Sequence, residues 1–217
     1  MDMPNTNPLT VTLDALNAKL DLLNEKCIVN HSCYFGATNN NYTEFDKLDK
    51  HRVCGIKLFM GSSTGNMLVD KMNSLLNIFN GTDMLIAAHC EDQETIKNNI
   101  EKYKQKYKGA DDIPVSAHPS IRSVPACYAS SELAVRLAKI AGARLHILHV
   151  STAKELQLFS DEPLANKNIT AEACVAHLLF TLTHYNSLGA RIKCNPAVKR
   201  KTDREALRTA VNSGLID

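Results

Sequence analysis

Val53-Cys54-Gly55-Ile56-Lys57-Leu58-Phe59-Met60 is a nearly continuous apolar run with one lysine inside it. Such a run, bounded by polar sequence, reads as a strand buried on both faces. Outward from it, short apolar runs alternate with segments of helical period. Upstream, Met1–Met3 is a run cut short, residues 10–25 place Leu13, Leu16, Leu20 and Leu23 on one helical face, 27–35 read as a strand, and 42–52 as a weak short helix. Downstream, 70–80 repeat Met72, Leu75, Leu76 and Phe79 ahead of Gly81, and 84–89 are the next strand. Residues 92–108 form a helix with Ile96, Ile100, Tyr103 and Tyr107 on one stripe and a solvated, lysine-rich face.

The second half continues the pattern. Residues 110–122 read as a long polar loop, Ser123 caps a helix that ends by Gly142, and 144–150 are a strand. Thr152 with Glu155 reads as a capping box, 169–173 as a strand, and Thr202 with Glu205 as the cap of a last helix ending at Gly214. Residues 215–217 read as the start of one more strand. This strict alternation predicts an α/β fold with a parallel sheet and outer helices, and the length allows one large domain, here 1–217, or two small ones. A doubly wound sheet and part of a (β/α)₈ barrel both fit. No G-x-G-x-x-G follows the first strand, which weakens a dinucleotide-binding sheet.

The 217 residues carry 25 Lys plus Arg against 23 Asp plus Glu, so charge gives no case for nucleic acid or an anionic membrane. No apolar run approaches the ~18 residues that span a bilayer, and the first residues lack a signal-peptide pattern. Seven scattered cysteines without a C-x-x-C pair fit reduced thiols in a cytoplasmic protein.

In α/β folds the reacting groups sit at the C-terminal ends of strands. Lys57 is costly to bury as an ammonium unless paired or neutralised. It is either a lysine that snorkels to an acid or one kept neutral for chemistry: a Schiff base, a general base, or an amine carbamylated by CO₂. His89 ends one strand, on the face of Leu85 and Ala87, and His149 ends another. His146 lies an odd number of residues from His149, so the two face opposite ways in a strand. Each histidine alone reads as a satisfied core or rim residue. Two of them with a strand lysine, on three strand ends, suit zinc. Gly61-Ser62-Ser63-Thr64-Gly65 reads as a loop over a strand end, without the G-K-[ST] of a phosphate loop. His118 and Arg122 fall in a loop of lid-like length, Asn5 in a turn, and His177 just past a strand.

Several stretches together resemble the dihydroorotases, metal-dependent amidohydrolases of pyrimidine biosynthesis. They are Asp2-Met3-Pro4-Asn5-Thr6-Asn7-Pro8, Gly55-Ile56-Lys57-Leu58-Phe59, Ala88-His89-Cys90-Glu91, His146-Ile147-Leu148-His149-Val150-Ser151, Glu172 to Phe180 including His177, and Asn195-Pro196 ahead of residues 202–207. Their order and spacing carry the resemblance over essentially the whole chain. It implies a (β/α)₈ TIM-type barrel with a binuclear Zn²⁺ centre bridged by carbamylated Lys57, His89 and His149 as zinc ligands, and Asn5 and Asn195 as contacts to a small, carboxylate-bearing substrate. The implied reaction is the reversible ring opening of (S)-dihydroorotate to N-carbamoyl-L-aspartate, in which zinc lowers the pKa of a bridging water.

The family pattern also has an H-x-H pair on the first strand, followed by an arginine, and a proton-shuttling aspartate on the eighth. This chain contains no H-x-H, and Asp217 is not assigned the aspartate's role. The sequence therefore matches strands two to seven, the catalytic acid–base is expected beyond Asp217, and this chain alone is expected to lack normal turnover. Two further readings stay open: a related cyclic amidohydrolase, an allantoinase or hydantoinase, and a non-catalytic relative that serves as an assembly partner. A homo-oligomer also stays open.

Overall fold

A computed structural model describes residues 1–61, 67–109 and 111–217. Positions 62–65 of the expected Gly61–Gly65 loop thus lie outside the described residues. The chain forms two compact units, one of Met1–His89 with Ala134–His146 and the other of Cys90–Leu133 with Ile147–Asp217.

In the first unit, helix α1 (Leu13–Lys26) is capped by Thr12, whose hydroxyl accepts from the Ala15 amide, and it buries Leu16 and Leu20. Strands β1 (Cys33–Gly36), β2 (Val53–Phe59) and β3 (Ile86–His89) are parallel. Helix α2 (Met72–Asn80) lies between β2 and β3 in the chain and buries Leu75, Ile78 and Phe79. Phe35 packs edge-on against Phe45 at 6.1 Å within a core that includes Ile56, Leu58 and Ile86. Gly55 is required by close strand approach: a Cβ there meets the Leu85 carbonyl oxygen at 2.5 Å.

In the second unit, α3 (Gln93–Tyr107) starts at Asp92, whose carboxylate accepts from the Thr95 amide, and only Ile96 of the expected stripe is buried. A 3₁₀ turn (Val115–Ala117) and the short helix α4 (His118–Ile121) follow. Helix α5 (Val124–Ala141) ends at Gly142, whose φ of +65° suits glycine. Beside strand β4 (Leu145–Ile147), the Arg144 carbonyl accepts from the Ile86 amide, and the Ile147 carbonyl accepts from the Glu172 amide. After β5 (Ile169–Ala171) come α6 (Val175–Leu179), α7 (Tyr185–Leu188) and α8 (Lys201–Asn212). The strand order is β1-β2-β3-β4-β5. Tyr185, Ile192 and Val198, joined by Val115 and Phe180, form one hydrophobic cluster of the second unit.

Several expectations are corrected. The 27–35 strand shrinks to Cys33–Gly36, because Ile28 and Val29 are exposed and bury nothing. The Met1–Met3 run makes one bridge, Asp2 to Cys33. The 110–122 loop contains the 3₁₀ turn and α4. Glu155 donates its amide to the Thr152 hydroxyl as expected, but a 3₁₀ turn (Glu155–Leu158) follows in place of an α-helix. Helix α8 is capped by Asp203, not by the Thr202–Glu205 pair, since the Asp203 carboxylate reaches back to the Arg200 amide at 3.2 Å. Residues 215–217 form no strand, although the Asp217 amide donates to the Ala171 carbonyl at 3.0 Å.

Candidate functional site

In the first unit, the register sets Lys57 opposite Ala87 and Phe59 opposite His89. Side chains alternate along a strand, so Lys57, Phe59 and His89 share one face at the C-terminal ends of β2 and β3. Lys57 is 2% exposed and His89 5%. The Lys57 ammonium donates to the Leu58 carbonyl at 3.0 Å and lies 3.6 Å from the centroid of the Phe59 ring. Phe59 and His89 rings stand 6.0 Å apart. The structure thus brings two expected residues together and adds Phe59, which had no signal beyond being apolar. Asn5 is exposed in the turn that follows the Asp2 bridge, a turn closed by the Thr10 amide on the Pro4 carbonyl at 2.9 Å.

In the second unit, β4 stops at Ile147, so His149 lies past the strand end and the odd-spacing argument with His146 does not apply. His149 adopts φ +44°, the left-handed region that costs a non-glycine residue of order 1–3 kcal/mol. Glu172 helps hold it there, its carboxylate accepting from the His149 amide at 3.3 Å and its carbonyl accepting from Val150 at 2.8 Å. The strained backbone marks His149 as held in one pose. Arg122 forms an ion pair with Glu91, whose side chain is fully buried. Both charges need that pairing, since burial of an unpaired carboxylate is costly.

His118 and His177 are buried, and each turns Nε2 to a backbone carbonyl: His118 to Cys194 at 2.8 Å, His177 to Pro196 at 2.9 Å. Burial pushes both imidazole pKa values below the ordinary 6.5. Asn195, between those carbonyls, is exposed. Lys199, Ser151 and Glu155 form a buried polar cluster that sequence reading missed. The Lys199 ammonium donates to the Ser151 hydroxyl and the Ala197 carbonyl, both at 3.0 Å, and the Glu155 carboxylate accepts from Ser131 at 2.7 Å and Thr152 at 2.8 Å. Burial raises the Glu155 carboxyl pKa and pushes the Cys127 thiol, beside Lys199, up to about 12. Such a thiol is inert as a nucleophile at neutral pH. All seven cysteines are present as thiols.

Among the described residues, no group of three or more His, Cys, Asp or Glu side chains could hold a metal ion. No helix among them is long and apolar enough to cross a membrane.

No protein-family model matches the chain. It is 28% identical over 225 residues to a dihydroorotase of Halalkalibacterium halodurans, covering 99% of this chain and 49% of that protein. It is 28% identical over 221 residues to a dihydroorotase of Bacillus caldolyticus, with the same coverage of 99% and 49%. Among solved structures, an L-hydantoinase from Arthrobacter aurescens superimposes with a TM-score of 0.89 at 26% identity, over 99% of this chain and 48% of that one. The chain is thus similar to proteins named dihydroorotase and to a solved L-hydantoinase. It spans about half the length of the curated relatives it matches. A dihydroorotase from Campylobacter jejuni shares the fold, with a TM-score of 0.63 at 19% identity over 98% of this chain and 56% of that one. The α/β fold expected from strand–helix alternation is therefore the fold of these amidohydrolases, and the share covered agrees with part of a barrel.

Proposed function

We propose that this chain belongs to the catalytic machinery of a cyclic-amide hydrolase whose substrate is (S)-dihydroorotate. Water adds across the ring amide, the C–N bond breaks, the carbonyl carbon becomes a carboxylate, the ring nitrogen gains one proton of the water and the other is released, giving N-carbamoyl-L-aspartate. The observation that carries this reading is the likeness to proteins named dihydroorotase over 99% of the chain. The exposed carboxamides of Asn5 and Asn195 suit the substrate carboxylate as hydrogen-bond donors. A cytoplasmic setting belongs to the same reading. The likeness to an L-hydantoinase at a TM-score of 0.89 favours a second reading, a hydantoin-type ring as substrate.

Zinc, with carbamylated Lys57 as bridge and His89 and His149 as ligands, is the cofactor part of the proposal. Its support is the burial of Lys57 beside His89 and the strained backbone at His149. These residues are of the right chemical type but too few for a binuclear centre, and no step is assigned to a metal on the described residues. The test is to load the chain with zinc and bicarbonate, then measure zinc uptake and turnover of dihydroorotate, hydantoin and allantoin. Zinc uptake with conversion of dihydroorotate ahead of the others is expected, at a rate below that of a complete amidohydrolase. Preference for hydantoin overturns the substrate assignment. Neither uptake nor turnover overturns the enzymatic reading in favour of a non-catalytic assembly role.

A further inference from the structure

Asn195 combines an exposed side chain with a backbone tied down on both sides. The Cys194 carbonyl accepts from His118 Nε2 at 2.8 Å and the Pro196 carbonyl from His177 Nε2 at 2.9 Å. The Cys194 thiol also donates to the Pro196 carbonyl at 3.3 Å. Beyond them, the Ala197 carbonyl accepts from the buried Lys199 ammonium at 3.0 Å, and the Lys199 carbonyl accepts from the Leu182 amide at 2.6 Å. A carbonyl only accepts, so each imidazole carries its proton on Nε2. Both rings are more than nine-tenths buried, at 8% and 5% exposure, and come from separate elements, α4 and α6. Among the described residues His177 Nδ1 is buried with no hydrogen-bond partner, so this ring's contribution is its Nε2 contact.

We infer that His118 and His177 are positioning residues, a pair of imidazoles that clamp the Cys194–Pro196 backbone and present the Asn195 carboxamide in one orientation to a carboxylate-bearing cyclic amide or its ring-opened acid. The inference rests on the reading of Asn195 as a substrate contact. A donor fixed before binding loses less conformational freedom when the ligand arrives, so the clamp acts on affinity through Asn195 without touching the ligand.

The test uses the whole 217-residue chain. ¹⁵N NMR on the unaltered protein is expected to show the Nε2–H tautomer for both histidines, and an Asn195 backbone order parameter near the ~0.85 of rigid backbone. In His118→Leu and His177→Leu that parameter falls toward ~0.6, and N-carbamoyl-L-aspartate, followed through the Asn195 side-chain amide, binds about tenfold more weakly. His177→Gln, whose amide can donate to the same carbonyl, restores both values. Nδ1–H tautomers, or an Asn195 backbone equally ordered in both leucine variants, overturn the clamp, and the tautomer readout needs no variant to fold. Binding that is lost in Asn195→Ala but kept in both leucine variants overturns the clamp and leaves the reading of Asn195 standing. Binding unchanged in Asn195→Ala overturns that reading, and with it the ligand assigned here, while the order parameters still decide the clamp.

Discussion

Phe59 is the register partner of His89 in the parallel ladder between β2 and β3, and its ring also carries the Lys57 ammonium 3.6 Å from the centroid. The lysine is thus held by an aromatic face and the Leu58 carbonyl within an otherwise apolar strand. Lys57→Met keeps the stem and removes the amine. A thioether of similar length refills the volume without the desolvation that a buried ammonium requires. The expected outcome is an unchanged or raised urea midpoint together with lower zinc uptake. A loss of more than about 2 kcal/mol with zinc uptake intact assigns Lys57 a purely structural role.

Arg122→Ala removes an ion-pair partner of the buried Glu91 carboxylate. Breaking a buried pair by removing one partner costs about 3–5 kcal/mol. Urea unfolding is expected to show a loss in that range, and Glu91→Gln in the Arg122→Ala background is expected to recover part of it. A loss below about 1 kcal/mol would mean that water compensates Glu91.

The pH dependence follows from His118 and His177. His118 faces Arg122, Lys193 and Glu91, and His177 faces Lys199 and Glu91. Burial depresses both folded pKa values below 6.5, so as pH falls through that value the unfolded chain takes up protons first. Their contribution to stability is complete above 6.5 and is lost as pH falls toward the lowered folded values. Glu155, raised by burial, acts with the opposite sign, its contribution being lost as pH rises through its folded value. The expected result is a urea midpoint lower at about pH 5.5 than at about pH 7.5, with a shallower slope in His177→Gln. An identical slope in that variant removes His177 from the account.

Asp203→Ala and Thr202→Ala separate two ways of starting α8. Asp203 is 1% exposed, and its carboxylate accepts from the Arg200 amide at 3.2 Å and the Ala153 amide at 3.0 Å. Its loss is expected to cost about 2 kcal/mol, whereas exposed Thr202 is expected to change stability by less than about 0.5 kcal/mol. Equal effects in thermal unfolding would contradict the capping role given to Asp203.

Gly55→Ala sets a Cβ against the Leu85 carbonyl oxygen at 2.5 Å, a backbone atom that cannot turn away. Gly36→Ala meets Met67 Cε, the end of a flexible side chain. The first is expected to destabilise by about 3 kcal/mol and the second by clearly less. The reverse order of unfolding midpoints would show that β2 can move away from β3.

The sequence by itself determined the parts of this protein that are local. The apolar run around Lys57 and the run ending at His89 identified β2 and β3 within a residue or two, and leucine spacing identified α1, because strand and helix periods are written in neighbouring residues. It also singled out Lys57 and His89, whose shared face follows from alternation once the two strands pair in register. Only the tertiary structure decided the rest. Local hydrophobicity extended β1 back to Cys27, but Ile28 and Val29 find nothing to pack against. Nothing near Arg122 announces Glu91, nothing near Asn195 announces His118 and His177, and no periodicity shows the left-handed backbone of His149. Those features are hydrogen bonds and ion pairs between residues tens of positions apart, and such pairings exist only after packing has excluded water from both partners.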